Sequence, residues 1–95
     1  MEFLVRIDVR LPPEMPSERR AALVDAEARR GRELQAAGLL RRIWRIPGRL
    51  ANVSLYDAPD ATAVHEAIAS LPLFPWLDVH VEALARHPLE RDPGE

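Results

Sequence analysis

The stretch that decides the fold is Leu39–Tyr56, LLRRIWRIPGRLANVSLY. Leu39 to Ile46 and Leu50 to Tyr56 each read as a strand, and Pro47-Gly48 between them is a turn signal that predicts a β-hairpin. Upstream, Phe3, Val5, Ile7 and Val9 alternate with Leu4, Arg6, Asp8 and Arg10, the period of a strand with one buried face, and Pro12 and Pro13 end it. Between that strand and the hairpin, Ser17 to Ala37 predicts a helix of about five turns, with Ser17 as N-cap, Glu18 at the positive end of the dipole and Gly38 as the stop. Downstream, Asp60 caps a second helix from Ala61 to about Ser70, with Val64, Ala67, Ile68 and Leu71 inward and Pro72 as its stop. Leu77, Val79, Val81 and Ala83 then alternate with Asp78, His80 and Glu82 as a fourth strand.

The order is β-α-β-β-α-β, the ferredoxin-like arrangement of the α+β class, with two helices on one face of a four-stranded antiparallel sheet. A single domain over residues 1–88 and a polar tail over 89–95 are expected. The outer sheet face carries Arg6, Asp8, Arg10, Asp78, His80 and Glu82, so it meets water or a polar subunit contact. The fold hosts many activities, so function has to come from the site.

Composition narrows the classes. The 95 residues are 47% hydrophobic with a net charge of −2, and all 13 basic residues are Arg. Near-neutrality, and Phe3 and Trp44 not forming a base-stacking platform, argue against a dedicated nucleic-acid binder. No stretch approaches a membrane-spanning length, and MEFLVRIDVR lacks a signal peptide's apolar run, so a cytoplasmic protein is expected. A small cysteine-free domain favours oligomerisation. His65, His80 and His87 lack metal-site spacing, and no phosphate loop, activated nucleophile or dinucleotide fingerprint is present, so no metal and no cofactor are expected.

One residue breaks the hydrophobic pattern. A helical projection places Glu27 on the same apolar arc as Leu23, Val24, Gly31 and Leu34, the face that meets the sheet. A carboxylate there is paired, solvated in a pocket, or held partly protonated. Arg20 and Arg30 are the ion-pair candidates on its own helix; a general base is the functional alternative.

The block LPLFPW (Leu71–Trp76), followed ten residues later by Arg86-His87-Pro88, together with Leu40–Tyr56 and Glu27, resembles the muconolactone Δ-isomerase family of the β-ketoadipate pathway of aromatic-compound breakdown. The similarity runs from about residue 3 to residue 88. It implies a cofactor-free enzyme of ferredoxin-like fold that moves a proton within an unsaturated lactone and assembles as dimers into a decamer. It also implies that Glu27 carries the proton and that Asn52 on the third strand is its polar partner. The family commonly has Tyr where this chain has Leu50 and His where it has Arg49, so a hydroxyl at the substrate is absent. The alternatives are a paralogue acting on another lactone or enol, for example a chloromuconolactone dehalogenase-like enzyme, and a non-catalytic binding module.

The remaining candidates line or grip the substrate. Leu50 and Asn52 share a strand face. A substrate carboxylate calls for an Arg that grips it bidentately, and strict alternation places Arg41 and Arg45 on one face, with Arg42 and Trp44 on the other. A solvated face with subunit salt bridges is the plainer account of those arginines. Phe74 and Trp76 are core, a pocket wall or a subunit contact.

Overall fold

The computed structural model describes residues 1–91. Its elements run β1 (Glu2–Val9), α1 (Ser17–Ala36), β2 (Leu40–Arg45), β3 (Ala51–Asp57), α2 (Ala61–Ala69), a 3₁₀ turn (Phe74–Trp76) and β4 (Leu77–Leu84). The four strands form one antiparallel sheet in the order β2-β3-β1-β4, so β1 sits at the centre between strands distant in sequence. This is the expected ferredoxin-like fold. The tail residues 92–95 lie outside the described residues.

Alternation in the central strands builds the core. Phe3, Val5 and Ile7 face the helices, opposite Tyr56, Ser54 and Asn52 of β3 and Ala83, Val81 and Val79 of β4. Phe3, Val5, Leu34 and Val64 are almost completely buried among Leu40, Ile68 and Leu71. The opposite face is charged and self-satisfied: Arg6 pairs with Asp8, Arg10 with Asp78 and His80 with Glu82.

The long helix starts and stops by different means. Ser17 is its first residue and not its cap; the N-cap position is Pro16, whose extended backbone turns the chain into the helix and whose carbonyl accepts from Arg20 N–H. At the other end Gly38 takes φ +79°, and the N–H groups of Gly38 and Leu39 donate to the Gln35 and Leu34 carbonyls, a Schellman closure. The second helix is capped as expected, the Asp60 carboxylate accepting from Ala63 N–H at 2.8 Å.

One irregularity re-aims a strand. Leu40 pairs with Tyr56 but Arg42 pairs with Leu55, so Arg41 is an extra residue bulged out of the ladder. Beyond it the phase reverses: Ile43 and Arg45 stand opposite Ser54 and Asn52 on the helix-facing side. Arg41 does not share that face as alternation had it.

Candidate functional site

Glu27 lies on the Leu23–Leu34 arc near the middle of α1, half-buried over the end of the sheet where β1, β2 and β3 leave the core. Its Oε1 accepts a 2.9 Å hydrogen bond from the backbone N–H of Leu73, in the loop that follows α2. Burial pushes its carboxyl above the usual carboxylate range, and the Leu73 bond, which favours the charged form, only partly opposes this.

The ion-pair alternative is not what the structure contains. Arg30 donates to Ser70 Oγ at 2.8 Å and to Glu33 at 3.1 Å, and Arg20 donates to the Pro12 carbonyl. Both arginines leave Glu27 to the Leu73 amide. A carboxylate in no salt bridge among the described residues, in a half-apolar setting, can serve as a base with its proton affinity lifted above that of an ordinary glutamate.

In front of Glu27 opens a pocket of about 360 Å³, within the range of small-ligand sites. Its walls are apolar, with Ile7, Val9, Leu11, Val24, Leu50 and Leu73 contributing. The polar groups reaching it are Glu27, Asn52, Arg20 and Arg45. Adjoining it is a smaller pocket of about 140 Å³, lined by Gly31, Ile43, Ser54, Tyr56 and Leu71. Glu27, Asn52 and Ile7 line both spaces. Tyr56 is buried, and its phenol is pushed up to about 12, first by burial and then by the Glu27 charge, so it stays protonated.

The structure brings Glu27, Asn52, Leu50 and Arg45 to one pocket. The Arg41 guanidinium instead points to Asp57, 3.4 Å away, at the far end of its strand. Phe74 lines a separate apolar groove between α2 and β4 with its ring edge-on to His65. Trp76 carries the Arg19 guanidinium over its face at 5.5 Å. Leu73 and Arg20 belong to the site although neither was singled out for it. The LPLFPW block signalled the loop but not which of its residues turns inward, and Arg20 stood out only as a candidate ion-pair partner of Glu27. Among the described residues no three His, Asp or Glu side chains converge as a metal site, and no helix is long and apolar enough to cross a membrane.

Known proteins carry the same architecture. A solved crystal structure of muconolactone isomerase superposes with a TM-score of 0.88 at 38% identity, covering 97% of this chain and 98% of that one. Muconolactone Delta-isomerase 2 of Acinetobacter lwoffii is 44% identical over 92% of this chain and 91% of its own length. The Pseudomonas aeruginosa Muconolactone Delta-isomerase is 40% identical over 93% and 92%. The family model described as Muconolactone delta-isomerase matches residues 1–90. With fold, length and sequence all in agreement, the chain belongs to the muconolactone delta-isomerase family of enzymes.

Proposed function

We propose that this protein converts muconolactone to 3-oxoadipate enol-lactone by a proton shift with Glu27 as the single base, a step in the breakdown of aromatic compounds. The observation that carries this reading is Glu27 itself, a half-buried carboxylate facing an apolar pocket, held by a backbone amide and free of the cations on its own helix.

The chemistry needs little else. The ring hydrogen on the carbon bearing the carboxymethyl group is acidified through the double bond by the lactone carbonyl. Glu27 takes that proton, and the electron pair of the broken C–H bond spreads into a dienolate ending on the carbonyl oxygen. Returning the same proton to the carbon next to the carbonyl moves the double bond and regenerates the carboxylate. One proton and one double bond change place, so the step requires no oxidant or reductant. The Asn52 amide supplies a hydrogen bond to the oxygen that gains charge. Arg45 pairs with the substrate carboxylate at the mouth, beside Leu50, which is 66% exposed there.

The functional unit is the domain over residues 1–88, a cytoplasmic homo-oligomer built from dimers into a decamer. Its sheet ends in two unpaired edge strands, β2 and β4, and Ile43, Trp44, Val81 and Leu84 stay exposed along them, which supports subunit contacts there. A second reading, a different lactone or enol as substrate, rests on Leu50 in the pocket lining and Arg49 next to it in sequence, in place of hydroxyl and imidazole groups.

Incubation with muconolactone in deuterated water, followed by absorbance and NMR, tests the assignment. Enol-lactone formed well above the spontaneous rate supports it. A correctly folded protein giving no conversion and no proton exchange overturns it in favour of the second reading.

A further inference from the structure

Two arginines line the pocket in front of Glu27, and neither meets a carboxylate of the protein. Arg20 comes from α1 and Arg45 from the end of β2, where it stands opposite Asn52 on the helix-facing side, so one cation belongs to the helix wall and the other to the sheet wall. Among the described residues Arg6, Arg10, Arg30 and Arg41 pair with acidic side chains; Arg20 and Arg45 are in no salt bridge. Each commits one N–H to a backbone carbonyl, Arg20 to Pro12 at 3.3 Å and Arg45 to Ala51 at 3.5 Å. A guanidinium has several more N–H donors in its planar fork, so both keep donors for an anion. Two like charges on one largely apolar space are costly, and an anion between them relieves both.

The placement along α1 fits the reaction. Arg20 precedes Glu27 by two helical turns, roughly 10 Å along the axis and on the same face. The carbon that gives up its proton bears the carboxymethyl arm, so a lactone with that carbon at Glu27 and its arm toward the start of α1 carries its carboxylate toward the arginines. Arg20 is half-buried whereas Arg45 is exposed, so water competes less for Arg20. We propose that Arg20 is a second substrate-binding residue, which together with Arg45 clamps the carboxylate of the lactone's side arm from opposite walls, so that the pocket selects lactones with an anionic arm over neutral ones. This rests on the reading of the pocket as the lactone's site.

Binding of a ligand that cannot react tests the clamp without relying on turnover. The probe is the saturated lactone bearing a carboxymethyl arm, compared with its neutral methyl ester, each titrated by NMR into the protein. Arg20→Met, which keeps the apolar stem, is expected to weaken the acid about 10-fold and to leave the ester within about twofold. Arg20→Lys, which keeps the charge, should hold the acid within about threefold of the parent. A purely structural Arg20, tying α1 to the loop before it through Pro12, would lower the affinity for acid and ester alike, and that outcome overturns the proposal. In Arg45→Met, where Arg20 is untouched, the acid should still bind about 10-fold more tightly than the ester. Equal binding of the two there, or no binding of the acid to the parent, overturns the clamp even if Arg20→Met fails to fold. The failure of the proton-transfer reading looks different: Glu27→Gln then turns over muconolactone at the full rate, whatever the two affinities are.

Discussion

Leu73 N–H donates to Glu27 Oε1 across 2.9 Å, and this one bond joins α1 to the loop after α2 over 46 residues of sequence. It anchors one carboxylate oxygen and leaves Oε2 without a hydrogen bond among the described residues. The bond also sets an opposition, since it favours the charged form while the surrounding burial favours the neutral one and prevails.

Glu27→Gln separates the anchor from the chemistry. The glutamine carbonyl still accepts from Leu73 N–H, so the fold and melting temperature should stay close to those of the parent. The base is gone, and turnover of muconolactone should fall by at least about 10³-fold, the scale of a positioned general base. More than about a tenth of parental kcat surviving in the Glu27→Gln variant removes Glu27 from the mechanism.

Acidity should follow the same carboxyl. The rate at low substrate should rise with pH through a midpoint above 4.5, the ordinary glutamate value, because the base must be ionised and burial resists that. Stability should run the other way. A carboxyl whose folded pKa is raised adds stability below its unfolded pKa and loses it as pH climbs through the folded one. Relative to the Glu27→Gln variant, the parent should therefore lose melting temperature on going from about pH 4 to about pH 7. An acid limb at or below 4.5 in the pH–rate profile contradicts this.

Period and punctuation made most of the fold legible. Phe3–Val9 alternates cleanly, Gly38 is the only residue type that takes φ +79° without strain, and Asp60 caps as its type suggests. Glu27 was visible because a carboxylate interrupts an apolar arc. The Arg41 bulge was not, since one extra residue in a ladder shows only in pairing, and every alternation downstream then changes face. Nor was the Leu73 amide legible, because a backbone donor carries no signature of its own. Arg41 and Arg45 consequently read as equals and are not: one meets Asp57, the other the pocket.

That difference is measurable. Arg45→Met keeps an apolar stem and removes the charge at the pocket, so KM for a substrate bearing a carboxylate should rise about 10-fold, the order of a lost charge-assisted hydrogen bond. Arg41→Met breaks an exposed ion pair with Asp57 and should leave KM within about twofold and stability little changed. Equal effects of the two substitutions on KM would mean that the bulge does not divide their roles.

Gly31 offers a test of how much of the smaller pocket the reaction needs. It lies mid-helix in α1, where glycine costs roughly 1 kcal/mol against alanine. A Cβ built there meets nothing within 4 Å. Gly31→Ala should therefore stabilise the domain by about that amount, a rise of roughly 4–8 °C in melting temperature for a chain of this size. Its methyl group joins the lining of the smaller pocket and leaves most of the space free. Turnover should accordingly stay within about threefold of the parent. Gly31→Leu is the contrasting case, because its larger side chain takes up space in the smaller pocket that Glu27 also lines. Thermal melts and kcat on the two variants separate packing from chemistry: the alanine should gain stability at little cost in rate, and the leucine should lose rate even if it folds. A destabilised Gly31→Ala would mean that the space over Gly31 is already occupied.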